Sequence, residues 1–491
     1  MASRNLLAFD LGAESGRALL GRFDGKRLTL EEKHRFANPN GRLNGHLHWN
    51  FLAQWEELKA GLRKSSAGGT TIDAIGVDTW GVDFGFLDRN GDLLTNPYMY
   101  RDAQTDGMLE KAFAKVPRAQ IFEATGIQFM QLNSLYQVMA LAERKSPLLE
   151  MAQTMLFVPD LFNYFFTGEK AAEFSIATTS QMYDPRRRAW ATGMLEKLGL
   201  PTHFLPKIVP SGTRLGNLRT DVAEECGASR AIPVIAPGCH DTASAVAAVP
   251  ASGTDWCYIS SGTWSLMGVE IPQPIINEKS LALNYTNEGG VAGDIRFLKN
   301  IMGLWLVQEC RRQWLKDGQE FNYAQLTQMA GAARPFAALI DPDHKPFLSP
   351  GQMPQKIAEF CAKTGQSAPA STGEVVRTCL ESLALTYRKT IEGLEQVLGR
   401  KIGVIHIVGG GTQNELLNQM TADACNRPVV AGPVEATAIG NMLVTAIALG
   451  DIANLEQGRC VVRDSFDVKR YEPKNSQAWD DAFGRYQKVL R

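Results

Sequence analysis

Apolar positions along the chain fall into short blocks and alternating runs that predict strands, separated by stretches with helical spacing. Residues 6–10, 18–23 and 28–36 read as three consecutive strands, with Asp24-Gly25 as a hairpin turn. Residues 55–65 carry Trp55, Leu58 and Leu62 on one helical face. Residues 72–77 and 82–87 are predicted strands, followed by a turn from Asp88 to Gly91. Residues 105–230 look mainly helical and irregular, punctuated by Pro147, Pro201, Pro206 and Pro210. Residues 231–236 predict a buried strand, and after Pro237-Gly238 a small-residue helix starts near Asp241.

The pattern restarts after residues 250–253, the best linker candidate. Residues 256–260 and 264–269 predict strands, and 303–314 and 374–398 predict helices. A strand over 402–408 runs into Gly409-Gly410-Gly411, a helix over 414–425 follows, and a second small-residue helix starts near Glu435. The segment LLAFDLGAESGRALLG (6–21) is echoed by WCYISSGTWSLMG (256–268). Each is an apolar strand, a turn of small and hydroxyl residues around glycine, and a second apolar strand. We expect an internal duplication with domains 1–249 and 250–491, both α/β with mixed sheets. The two Ala/Gly-rich helices permit close approach, as where two domains meet; a merely buried helix is the competing reading.

Composition narrows the class. The 491 residues are 44% hydrophobic and 21% charged, ordinary for a globular protein. A formal net charge of −1 gives no nucleic-acid footprint. Seven histidines and eight scattered cysteines show no metal-ligand spacing. The apolar run at 6–9 is too short for a signal peptide, and no window approaches the ~18 apolar residues of a spanning helix. These features predict a soluble cytoplasmic protein with no nucleic acid and no membrane as partners; small-molecule partners and a monomer or weak homodimer are further expectations that composition does not itself establish.

The candidate chemistry lies at the turns. Asp10 ends an apolar strand, a costly place for a lone carboxylate. A hydrated Mg2+ is a natural partner, since that ion is held by one or two carboxylates plus phosphates. Gly12 and Gly16 allow close phosphate approach, and Ser15 or Arg17 can contact it. An ordinary hairpin turn is the alternative. The uncharged turn Ser260-Ser261-Gly262-Thr263 suits the far side of the same phosphates. Cys239-His240-Asp241-Thr242 follows a strand end, where open α/β sheets bind ligands. Asp241 is either a helix N-cap or the general base of a transfer to a hydroxyl, with His240 and Thr242 on neighbouring hydroxyls. Trp80 and Asp83 suit a sugar face and its hydroxyls, or else a core tryptophan and a surface carboxylate. Asn287-Glu288-Gly289-Gly290 and Lys299-Asn300 add further candidate polar groups. Gly409, Gly410 and Gly411, with Gln413 and Asn414, admit a flat ring and a phosphate at a helix start. Neither GxGxxG nor GxxxxGK[ST] occurs, which excludes a Rossmann fingerprint and a P-loop.

Taken together, DLGAESGR, DTWGVDF, NSLYQ, CHDTASAV, SSGTWSLMG, TNEGG, LKNIMGLWL and IVGGGTQNELLNQ resemble the FGGY family of carbohydrate kinases over nearly the whole chain. The resemblance implies two ribonuclease H-like domains of the actin-like ATPase superfamily with a central cleft, sugar on the N-terminal domain and ATP on the C-terminal one. The implied activity is phosphorylation of the ketose L-rhamnulose at its 1-hydroxyl by MgATP. Another ketose such as L-fuculose or a pentulose is the alternative, and an actin-like ATPase without sugar a remote one. Residue by residue, Ala13, Glu14, Ser15, Gly16 and Arg17 match the phosphate loop, Asp10 the Mg2+-linked aspartate acting through water, and Asp241 the catalytic base. Gly81, His240, Asp241, Thr242 and Asn300 match sugar positions, and Thr263, Gln308 and Gly410 match ATP positions. Glu14 and Gln104 depart from the residues common in relatives. Cys361 and Cys379 match positions for which a disulfide is inferred in a relative, where we expect reduced thiols.

Overall fold

The computed structural model describes residues 3–490. Its first sheet contains β1 (Arg4–Leu11), β2 (Ser15–Phe23), β3 (Leu28–Ala37), β4 (Ala74–Thr79), β5 (Thr213–Asn217) and β6 (Pro233–Ala236), in the order β5-β6-β4-β1-β2-β3. β1 and β2 pair antiparallel, as do β2 and β3. β4 runs parallel to β1, β6 parallel to β4, and β5 antiparallel to β6. The central strand β4 is buried along its whole length, which explains its unbroken apolar run up to Asp78.

The second sheet contains β7 (Trp256–Ser261), β8 (Trp264–Ile271), β9 (Thr286–Gly289), β10 (Ile295–Met302), β11 (Val404–Val408), β12 (Val429–Ala431) and β13 (Lys469–Tyr471), in the order β9-β10-β8-β7-β11-β12-β13. β7 pairs antiparallel with β8 and parallel with β11; β12 follows parallel and β13 antiparallel. This succession is the one β1 makes with β2, β4, β6 and β5. The weak sequence echo therefore has a topological counterpart.

The helices used below are α1 (Phe51–Ser66), α2 (Phe174–Thr178), α3 (Asp241–Ala247), α4 (Trp305–Lys316), α5 (Thr372–Leu398), α6 (Glu415–Cys425), α7 (Ala436–Ala448) and α8 (Ser476–Val489). Two compact units emerge. The first comprises Met1–Ser252, Glu270–Phe297 and Glu435–Phe466; the second comprises Gly253–Val269, Leu298–Val434 and Asp467–Arg491. Two segments beyond residue 250 thus pack within the first unit. The small-residue helices explain one of them. α7 lies so close to α3 that a Cβ built on Gly440 would overlap the Ser244 carbonyl oxygen. On the sheet side, a Cβ on Gly76 of β4 would overlap the Asn441 side chain of α7. The close approach that these small residues allow is therefore between α3 and α7 themselves, both within the first unit.

Most predicted elements are present with ends shifted by a few residues. The region 105–230 also holds strands of two to five residues, such as Tyr183–Asp184 and Thr213–Asn217. Those are too short for alternation to emerge from the sequence. No helix among the described residues is long and apolar enough to cross a membrane. All eight cysteines are free thiols, and Cys361 and Cys379 are buried.

Candidate active site

In the first unit, neighbouring strand ends bring acidic residues to one edge. The register sets Asp10 of β1 beside Arg17 of β2 and Asp78 of β4, and Thr79 bridges to His240 just after β6. Asp10 is 6% exposed, and its Oδ2 accepts a hydrogen bond from Arg17 Nη2 at 2.6 Å. The other arm of Arg17 pairs with Glu435, which stands at the N-cap position of α7 without a side-chain capping bond. Burial works against the guanidinium charge, yet Asp10 and Glu435 hold Arg17 above its ordinary value. Asp78 is buried; its Oδ2 accepts from Asn441 Nδ2 at 2.7 Å, whereas its Oδ1 has no hydrogen-bond partner. Burial, then the charge on Asp10, pushes Asp78 well above the usual carboxylate range, and Asp241 adds to this.

Asp241 opens α3. His240 holds the N-cap position, without a side-chain cap, so the capping alternative does not describe Asp241. The Asp241 Oδ1 accepts from Thr242 Oγ1 at 3.1 Å and lies 3.4 Å from His240 Nε2. Its side chain is 30% exposed. Burial, with Asp10 next in weight, pushes its carboxyl up to about 7. The loop before it is held from behind. The Cys239 N–H donates to Glu173 Oε2 at 3.1 Å and the His240 N–H to Ser175 Oγ at 3.1 Å, while Ser175 Oγ donates to Glu173 at 2.6 Å. Glu173 also caps α2 and accepts from Ser211 Oγ, so one buried carboxylate anchors three segments.

The Trp80–Asp83 segment is a tight turn. The Asp83 N–H donates to the Gly81 carbonyl at 2.9 Å, and Val82 adopts φ 67°. That conformation is strained for a β-branched residue. It is pinned on both sides: the Val82 N–H donates to Thr179 Oγ1 at 3.1 Å, and Ser134 Oγ donates to the Val82 carbonyl at 2.5 Å. Strain held this way clusters at functional sites. Gly81 faces the imidazole, since a Cβ there would lie 3.3 Å from His240 Nε2. Trp80 is buried against Trp49, with ring centroids 4.2 Å apart. Asp83 is fully buried and accepts from Trp49 Nε1 (2.6 Å), Trp80 Nε1 (3.0 Å), Gln137 Nε2 (2.9 Å) and the Tyr100 N–H (3.2 Å). Burial raises it to about 7 against the pull of these donors. Its oxygens are engaged by protein groups, so the direct hydroxyl contact expected of Asp83 gives way to a supporting one: it orients both tryptophans.

The first turn separates into parts. Gly12 closes it through its N–H to the Ser15 carbonyl at 2.9 Å, and a Cβ on Gly12 would meet only that oxygen, at 3.6 Å. Gly16 has another reason to be glycine: a Cβ there would overlap the Phe36 ring. Ala13 and Ser15 are partly exposed, and Glu14 is exposed.

In the second unit, the carbonyls of Gly262 and Thr263 accept from the Leu304 N–H (3.0 Å) and the Gly303 N–H (3.1 Å), which seats the turn on the start of α4. Gln308 lies one turn along α4, and its Oε1 is buried with no hydrogen-bond partner. Asn300 is half-buried on β10. The three glycines after β11 differ. Gly409 has φ 87°, a Cβ on Gly411 would overlap Ser261, and Gly410 has open space around its Cβ position. Gly410 is thus the one that leaves room for a ligand. Gln413 is exposed, and Asn414 caps α6 by accepting from the Leu417 N–H at 3.0 Å.

Sequence reasoning passed over Glu173, Ser175, Arg296, Glu435 and Asn441. Each is a single polar residue beside or within an apolar stretch, and its weight shows only once burial and partners are known.

Residues 5–248 match the N-terminal domain of the FGGY family of carbohydrate kinases, and residues 257–449 match its C-terminal domain. The chain belongs to this family. It is a sugar kinase, with ATP as its phosphoryl donor, and the resemblance read from its motifs is borne out. The kinase is 43% identical over 488 residues to a rhamnulokinase of Bacteroides thetaiotaomicron, covering 99% of this chain and 100% of that one. It is 40% identical over 490 residues to a rhamnulokinase of Pectobacterium atrosepticum, covering 99% and 97%. Among solved structures, a ligand-bound xylulose kinase from Lactobacillus acidophilus superposes with a TM-score of 0.81 at 17% identity, over 99% of this chain and 97% of that one. A Plasmodium falciparum glycerol kinase with ADP gives 0.78 at 14% identity, over 99% and 98%. These two likenesses speak to the fold, the actin-like ATPase type expected from the sequence.

Proposed function

We propose that this kinase transfers the γ-phosphoryl group of MgATP to the 1-hydroxyl of L-rhamnulose, giving L-rhamnulose 1-phosphate and ADP, as a step of L-rhamnose catabolism in the cytoplasm. The substrate is taken from the rhamnulokinases to which the chain is similar over 99% of its length. One observation carries the chemistry: Asp241, not spent on capping, stands partly open at the strand edge with its carboxyl near 7.

A carboxyl poised near the working pH suits a general base. In this reading Asp241 orients the 1-hydroxyl and accepts its proton late in the transfer. His240, Thr242, Gly81, Trp80 and Asn300 contact the sugar, with Asp83 acting through Trp80. Ala13, Glu14, Ser15, Gly16 and Arg17 serve the phosphates, and the Arg17 charge favours the negative transition state. In the second unit, Ser261, Gly262, Thr263, Gln308, Gly409, Gly410, Gln413 and Asn414 serve the nucleotide.

The acidic edge fits a hydrated Mg2+. Asp78 Oδ1 is buried without a partner, and the Asp10, Asp78 and Asp241 carboxylates repel one another. Asp10 and Asp78 would hold the ion through its waters. When bound, it supplies charge neutralisation at the phosphates. The protein acts as a monomer or weak homodimer.

The test is Asp241→Asn. It should retain sugar binding by calorimetry and lose turnover by about 10²–10⁴-fold. A folded variant with a near-wild-type rate would overturn the assignment.

A further inference from the structure

Arg296, on β10, is fully buried at 0% exposure. A guanidinium keeps its proton in proteins and offers only donors, so burying one demands acceptors. Its Nε donates to the Gly289 carbonyl at 2.8 Å. Its Nη2 lies 3.0 Å from His240 Nδ1 and 3.3 Å from Glu288 Oε2. The Gly289 peptide is itself fixed, because its N–H donates to Thr178 Oγ1 at 2.7 Å.

The Arg296–His240 contact has a chemical consequence. Nη2 can only donate, so His240 Nδ1 must present a lone pair, and a histidine with a lone pair on Nδ1 carries its hydrogen on Nε2. A doubly protonated ring would set an N–H against the guanidinium N–H. The groups facing the ring are Arg296 and Glu288 on the Nδ1 side, with Glu288 Oε2 at 3.4 Å, and Asp241 on the Nε2 side, with Oδ1 at 3.4 Å. The two carboxylates favour the imidazolium, whereas burial and Arg296 oppose it. Burial is the larger effect and holds the imidazole well below its ordinary value.

We propose that Arg296 is a positioning residue that locks His240 as the neutral Nε2–H tautomer, so that the ring donates a hydrogen bond to a sugar oxygen beside Asp241 and takes no part as a base. This rests on the reading of His240 as a sugar contact. It divides the work at the site: His240 can only donate, and Asp241 is left as the proton acceptor. It also names a requirement on the ligand, which must present an oxygen acceptor opposite Gly81 and His240.

The experiment is two-dimensional NMR of protein labelled with 15N at histidine, the His240 signals being identified by their loss in His240→Gln. In wild type, Nε2 should carry the proton and Nδ1 should be unprotonated throughout about pH 5.5 to 8.5. In Arg296→Met, His240 should take the Nδ1–H form toward Glu288 or titrate within that range, and the sugar KM should rise about tenfold with kcat changed less. Arg296→Lys keeps one donor and should restore the wild-type tautomer; it serves as the folded comparison if the methionine variant fails to fold. An Nδ1–H or imidazolium ring in wild type overturns the proposal, as does an unchanged tautomer in Arg296→Met. The NMR readout needs no turnover. A wild-type protein that shows the Nε2–H form yet lacks ketose kinase activity would sink the functional reading and leave the Arg296 assignment standing.

Discussion

Replacing Gly440 by alanine adds one methyl group where α7 meets α3. The new Cβ would lie 2.6 Å from the Ser244 carbonyl carbon and 3.2 Å from its Cα. Carbon atoms in contact need about 3.5–4.0 Å, so the helices must part by roughly 1 Å. Backbone lies on the Ser244 side and cannot rotate away as a side-chain tip would. Overpacking of this kind costs about 1–3 kcal/mol. Function should suffer more than stability. α3 carries Asp241 at its start, and α7 brings Asn441 to Asp78 and follows Glu435, which pairs with Arg17. Misplacement of reacting groups by about 1 Å can cost about 10²-fold in rate. The assay is a coupled ADP-release measurement of kcat beside thermal unfolding. Gly484→Ala on α8 is the control, since its Cβ position is open and a helical glycine replaced by alanine should be neutral or stabilise by about 0.5–1 kcal/mol. A Gly440→Ala protein with wild-type kcat and wild-type unfolding temperature would refute the packing argument.

Three further outcomes are expected. The Asp241 carboxyl lies at about 7 when folded against an ordinary 3.8, so its contribution to stability is fully present below pH 3.8 and is lost as pH rises through 7; Asp241→Asn should therefore unfold at a higher temperature than wild type at pH 8, and an equal or lower temperature there would contradict the burial argument. Glu173→Gln puts an amide among the donors of Cys239, Ser175 and Ser211, and kcat should fall about 10- to 100-fold with a smaller change in KM; unchanged kcat would show that the loop needs no such anchor. Gln308→Leu removes an oxygen that has no protein partner, so the KM for ATP should rise about tenfold with the unfolding temperature and sugar KM unchanged, and an unaltered ATP KM would remove Gln308 from the nucleotide site.

What could be read from the sequence divides along physical lines. The strands around Asp10 and Ser261 were legible because both are long, apolar and broken by glycine turns. Asp241 stood out as an acidic residue between a strand end and a small-residue helix, but the sequence alone left helix capping open; only the structure, with His240 at the N-cap position, separates the two readings. The hairpin of β9 and β10 was not legible, since TNEGG and RFLKN show no clean alternation; Glu288 stood out only as a polar group beside two glycines, and Arg296 escaped notice. The sequence assigns Gly16 a role in making room for phosphate; the Phe36 ring is a second reason for glycine there, a contact made across strands that no local pattern reveals. Asp83 was read as a sugar ligand because its neighbours Trp80 and Gly81 looked like a pocket; its engagement by Trp49 and Gln137 depends on residues 34 and 54 positions away.

The proposed reaction of this kinase is phosphoryl transfer to the 1-hydroxyl of L-rhamnulose. The direct measurement is ADP release with MgATP over a panel of L-rhamnulose, L-fuculose, pentuloses and glycerol, with the phosphorylated carbon read by 31P-coupled NMR of the product. The highest kcat/KM is expected with L-rhamnulose, together with a 1-phosphate product and little ADP release without sugar. A preference of tenfold or more for another member of the panel, phosphate on a different carbon, or equal ADP release with no sugar would contradict that assignment.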